Sequence, residues 1–98
     1  MAREKSLQNR ILRDIGMLHP RSVRFTITPG IYSTRFMPDI YFAAKGVGGI
    51  WLETKRDEKH EASHGQAATI RRLNYNDATA YVVQTWEQWL KIKEEHGI

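Results

Sequence analysis

Two short apolar runs, Ile40 to Ala44 (IYFAA) and Ile50 to Lys55 (IWLETK), flank Lys45 to Gly49, a segment with three glycines. Runs rich in aromatic and β-branched residues favour strands, and glycine supplies the positive φ that a tight reversal needs. The spacing predicts a β-hairpin. Folding it about its glycines sets Asp39, at the start of the first strand, opposite Glu53 and Lys55 at the end of the second. Side chains alternate along a strand, so Glu53 and Lys55 share a face with Trp51, while Ile50, Leu52 and Thr54 point toward the core. Pro38 has a fixed φ and no N–H, which suits the first residue of a strand. An Asp, a Glu and a Lys therefore converge at one end of a hairpin that is otherwise patterned for burial.

The rest of the chain supplies what covers the hairpin. Leu7, Ile11, Ile15 and Leu18 recur at helical spacing, broadened by Leu12, and predict an amphipathic helix ending between Gly16 and Pro20. Val23 to Thr28 alternates as a half-buried strand stopped by Pro29-Gly30. Ser63 with Gln66 is a capping-box pattern that opens a helix carrying Ala67, Ile70 and Leu73 on one side, ended by Asn74 to Asp77. Ala80 to Gln84 reads as a strand. Thr85 with Gln88 repeats the capping pattern before a C-terminal helix bearing Trp86, Trp89 and Leu90, with fraying expected over Glu94 to Ile98. The order is αβββαβα: an α/β fold whose mixed sheet is flanked by helices. A right-handed crossover makes the last strand parallel to the Glu53 strand.

A chain of 98 residues is expected to form one domain spanning 1–98, because second cores normally need more than about 150 residues. No apolar run approaches the roughly 18 residues of a membrane span and the start lacks a secretory h-region, so a soluble, intracellular protein with no membrane partner is expected. Without cysteine there is neither a disulfide framework nor a thiolate zinc site, and any metal must be held by oxygen or imidazole. His60 and His64 lack a third ligand at motif spacing, so zinc is not expected. The net charge of +4 and the pI near 9.6 favour a polyanionic partner, although a basic surface also serves solubility.

Two neighbouring carboxylates repel each other unless a cation lies between them. Mg²⁺ accepts one or two protein carboxylates and keeps water and phosphate oxygens as its remaining ligands. A nearby lysine can hold an attacking water or neutralise charge growing on phosphorus. Asp39 followed by a hairpin and Glu53-x-Lys55 thus has the parts needed to hydrolyse a phosphodiester.

Pro38-Asp39, Glu53-Thr54-Lys55 and Ser63-x-x-Gln66, behind a first helix with Glu4 and Gln8, resemble the PD-(D/E)xK nuclease superfamily, and within it the VRR-NUC (virus-type replication-repair nuclease) family. The resemblance spans nearly the whole chain, as in stand-alone bacteriophage members. It implies a restriction-endonuclease-like αβββαβ core plus a C-terminal helix. It also implies a Mg²⁺- or Mn²⁺-dependent DNA endonuclease, homodimeric and acting on branched DNA such as Holliday junctions, with no small-molecule substrate and a cytoplasmic location (the host cytoplasm for a phage protein). Carried over, Asp39 and Glu53 are metal ligands, Lys55 the catalytic lysine, Glu4 a further acidic residue at the metal, and Gln66 a supporting catalytic residue. Arg35, Arg56, Lys59 and Arg71 are candidates for tracking the DNA backbone.

Each assignment has a plainer alternative. Pro38-Asp39 is a common loop pair, Glu53 and Lys55 could be the polar face of an edge strand, and Ser63 with Gln66 is complete as a helix cap. Glu4 also suits the positive end of a helix. The function has its own alternatives: a flap or nicking nuclease, a non-catalytic DNA-binding module, or a basic protein-interaction domain. Family members often carry a glycine shortly before the Pro-Asp pair, where this chain has Arg35-Phe36-Met37, so a bulkier or differently shaped approach is expected. Asn76 stands where a helix-ending glycine is common, a departure of less weight because asparagine tolerates the left-handed conformation.

Overall fold

The structure, a computed structural model, describes residues 3–27 and 36–98, and the backbone alone at 3–5. The expected strand end at Thr28 to Gly30, the candidate Arg35 and the side chain of Glu4 lie outside the described residues. The elements are α1 (Arg3–Leu18), β1 (Val23–Thr26), β2 (Ile40–Ala44), β3 (Gly48–Thr54), α2 (His64–Tyr75), β4 (Thr79–Val83) and α3 (Trp86–His96), in the expected order. The sheet runs β1-β2-β3-β4, antiparallel except for the parallel β3–β4 pair. No helix among the described residues is long and apolar enough to cross a membrane.

Alternation along β2 and β3 sorts the side chains onto two unlike faces. Ile40 and Phe42 from β2, Ile50 and Leu52 from β3 and Val83 from β4 meet Ile11 and Ile15 of α1 and Trp89 and Ile92 of α3 in one cluster. Each of these large side chains contributes on the order of 1.5–3 kcal/mol by leaving water. The Phe42 and Trp89 rings meet edge to face at 5.9 Å. The opposite face carries a half-exposed row, Phe25, Tyr41 and Trp51, with centroid spacings of 5.4 and 4.7 Å. α2 packs along β4, and its Ala67, Ile70 and Leu73 are only half-buried.

The reversals follow from local chemistry. Gly46 and Gly48 adopt φ of 83° and 84° in the β2–β3 turn, which residues with a Cβ rarely reach. Asn74 receives the Ala80 N–H at 3.0 Å and donates to the Ala80 carbonyl at 2.9 Å, which fastens the end of α2 to β4. The left-handed residue after α2 is Asp77 (φ 68°) and not Asn76, whose φ is −93°. Asn76 instead folds its side-chain amide onto the Arg72 carbonyl at 2.8 Å, so its backbone keeps a negative φ.

The C-terminus is better tied than its composition suggested. α3 runs to His96, Gly97 caps it in the left-handed conformation, and Ile98 packs against the core cluster. His96 Nε2 also lies 2.6 Å from the Tyr81 hydroxyl. Arg10 lies 3.8 Å from the centroid of Trp86, and Trp89 is fully buried, which places both tryptophans in the packing between α1 and α3.

Asp14 of α1 joins the two helices: its Oδ2 accepts from Trp89 Nε1 at 2.9 Å and from Lys93 Nζ at 2.8 Å. Burial pushes this carboxyl up, but those hydrogen bonds and the charges of Lys93 and Arg10 outweigh it and leave the group below its ordinary value of 3.8. A carboxylate depressed in the folded state stabilises the fold while ionised, and loses that contribution as pH falls through its folded value. Asp14→Asn is therefore expected to lower unfolding free energy by about 1 kcal/mol at pH 7. In urea titrations across pH, the gap between variant and wild type should close below about pH 4.

Candidate active site

The β2–β3 register pairs Ile40 with Leu52, so the next position outward sets Asp39 facing Glu53. Asp39 precedes β2, and its carbonyl accepts from Ile27 N at 2.9 Å, continuing the β1–β2 ladder. Its carboxylate is held at both oxygens by one residue of β3: Thr54 N donates to Oδ1 at 3.0 Å and Thr54 Oγ1 to Oδ2 at 2.8 Å. Thr54 is 1% exposed, and a hydroxyl buried this far must find a partner. Sequence reasoning sent Thr54 to the core and gave it no part in the site. The available signal was a buried hydroxyl beside an Asp at the facing strand end.

Glu53 is 5% exposed, an unfavourable place for a carboxylate without strong compensation. Its Oε2 lies 3.4 Å from Lys55 Nζ and accepts from Gln66 Nε2 at 3.2 Å. Lys55 is one strand step of two residues beyond Glu53, so both reach the same side, and Lys55 N is fixed to Val83 O at 2.9 Å. The ammonium donates at 2.8 Å to Gln66 Oε1.

Gln66 is where the helix cap and the charged pair meet. Ser63 Oγ accepts from Gln66 N at 3.2 Å, and Gln66 Oε1 accepts from Ser63 N at 2.9 Å, completing the capping box. The same side chain bridges Lys55 and Glu53. The helix-cap reading of Gln66 holds, and the same side chain also lies against the two residues expected to work with it, Glu53 and Lys55.

The segment after Lys55 is anchored by Asp57, whose Oδ1 lies 2.7 Å from His60 Nδ1 and accepts from Lys59 N at 2.9 Å, and by Gln84, which donates to the His60 carbonyl at 3.0 Å. Arg56 and Lys59 are exposed on this segment, and Arg71 is exposed on α2.

The donor set is two carboxylates with facing positions, one buried and both hydrogen-bonded. Among the described residues there is no group of three or more His, Cys, Asp or Glu that could hold an ion. An oxygen-only pair suits Mg²⁺, which needs one or two carboxylates and fills the rest of its octahedron with water and phosphate oxygens.

The sequence matches no protein-family model and no curated protein. A solved structure described as "VRR_NUC domain" superposes on it over the full length of both chains, with a TM-score of 0.79 at 20% identity. The chain therefore has the α/β fold of a VRR_NUC domain, a mixed four-stranded sheet with three helices.

Removing one hydrogen bond to a charged group costs about 1.5–3 kcal/mol. Thr54→Val, nearly isosteric, should lose that much in urea unfolding, whereas Thr54→Ser should retain most of it.

Proposed function

We propose that the chain is a VRR-NUC member of the PD-(D/E)xK superfamily that hydrolyses phosphodiester bonds in DNA with a divalent cation. The observation that carries this reading is the Glu53–Lys55–Gln66 contact set opposite Asp39 at one end of the β2–β3 hairpin. Asp39 and Glu53 would hold Mg²⁺, or Mn²⁺ in its place, with Glu4 of α1 as a further acidic ligand. When bound, such an ion supplies Lewis-acid polarisation of the phosphate and a lowered pKa for water.

The chain's own groups do the rest. Thr54 keeps both Asp39 oxygens oriented. Lys55, with a side chain 15% exposed, presents its ammonium beside Glu53, where it can hold the attacking water or neutralise charge growing on phosphorus. Gln66 fixes the direction of that ammonium. Positive charge on Arg35, Arg56, Lys59 and Arg71 would track the phosphate backbone, in keeping with the net charge of +4.

Branched DNA, with Holliday junctions foremost, is the proposed substrate. Two symmetric cuts need two active sites, and a two-fold homodimer provides them economically. The proposed working place is the cytoplasm, that of the host for a phage protein.

The test compares synthetic four-way junctions, flaps and linear duplex at equal enzyme, with Mg²⁺ or EDTA. Wild type should cut the junction best, and only with the metal. Lys55→Ala should lose about 10²–10⁴-fold in rate while junction binding persists. Preferential cutting of flaps would move the assignment to a flap nuclease. Salt-dependent binding by wild type with no cleavage in Mg²⁺ or Mn²⁺ would instead identify a DNA-binding module.

A further inference from the structure

Phe36, three residues before Asp39, has φ of +67°, a region that a side chain with a Cβ occupies only under constraint. The residue remains 44% exposed, so burial gives only part of the usual return for adopting that conformation. Strained backbone persists where surrounding contacts over-determine it, and such positions cluster at functional sites.

One contact that constrains Phe36 is on α2. A Cβ built on Gly65 would lie 2.6, 2.6 and 2.7 Å from ring atoms Cδ1, Cε1 and Cδ2. Three ring carbons at nearly equal distance mean that the face of the ring covers Gly65, and only glycine leaves room for it. Gly65 directly precedes Gln66 in the first turn of α2. On its other side Phe36 leads through half-buried Met37 and buried Pro38 to Asp39. The ring therefore spans the two pieces of backbone that bring Asp39 and Gln66 to the site. The bulk expected in place of the family's glycine is present, and it is directed at the helix.

We infer that Phe36 is a positioning residue: its ring latches the first turn of α2 to the approach of Asp39, and so keeps Gln66 in register with Lys55 and Glu53. This inference rests on the nuclease reading for its effect on rate. Simple packing would make Phe36 matter for stability and not for chemistry. A latch predicts the reverse, because glycine at position 36 relieves the left-handed strain while removing the ring.

Four variants separate these outcomes: Phe36→Gly, Phe36→Tyr, Gly65→Ala and the double Phe36→Gly/Gly65→Ala. Phe36→Gly should keep or raise Tm and lower kcat by roughly 10- to 100-fold, as loss of a residue that orients metal-site groups does, with KM unchanged. Phe36→Tyr should retain wild-type kcat. Gly65→Ala should reproduce the kcat loss by displacing the ring, and should add nothing in the Phe36→Gly background.

A lowered Tm with unchanged kcat for Phe36→Gly, or additive losses in the double variant, would overturn the latch. A readout without catalysis is the side-chain amide of Gln66 in ¹⁵N spectra. Phe36→Gly should shift it and speed its exchange, and an unmoved signal would again overturn the inference. A wild type that never cuts DNA would defeat the nuclease reading alone, and the Gln66 signal would still decide the latch.

Discussion

The hydrogen bonds of the Gln66 side chain tie the charged pair of the candidate site to the fold. One amide closes the capping box of α2, accepts from the Lys55 ammonium and donates to the Glu53 carboxylate. A buried carboxylate and a neighbouring ammonium are costly to remove from water, and their mutual attraction offsets that cost only with good geometry and satisfied hydrogen bonds. Gln66 supplies both, and it can do so only because the capping box fixes where α2 begins. The helix start, the register of β3 and the orientation of the charged pair are thus a single constraint.

A second constraint comes from the end of the β2–β3 hairpin. Asp39 lies just before β2, and its carboxylate satisfies the backbone and hydroxyl donors of Thr54. The same contacts that finish the strand pair aim the carboxylate. Sites built in this way are precise because the parts that position them are also parts of the folded framework, and little remains free to move independently.

The sequence made much of this legible for definite reasons. Alternation in IYFAA and IWLETK and the glycines between them fix the hairpin and its faces, and the position of Asp39 opposite Glu53 follows from pairing alone. The Ser63–Gln66 capping box marks the start of α2 as its pattern implies, whereas at α3 only half of the expected box forms: the Thr85 hydroxyl accepts from Gln88 N at 3.2 Å, but Gln88 Oε1 accepts from Gln84 N at 2.6 Å, one residue before the cap. What escaped depends on individual side-chain contacts that no local pattern encodes. The bonds from Thr54 to Asp39 and from Asn74 to Ala80 have no periodicity to announce them. The helix-ending exchange of roles between Asn76 and Asp77 turns on which side chain reaches a carbonyl. Phe36 in a left-handed conformation goes against local preference, and its ring lies over Gly65, a contact that no local pattern announces.

The central claim is that Asp39 and Glu53 share one divalent ion beside Lys55. Titration of ¹⁵N-labelled protein with Mn²⁺, read as paramagnetic broadening of amide signals, tests it most directly. The account predicts saturable broadening that begins at Asp39, Glu53, Thr54 and Gln66 and is abolished by Asp39→Asn. Broadening that starts at the exposed acidic residues Glu87, Glu94 and Glu95, or that survives Asp39→Asn unchanged, would contradict it.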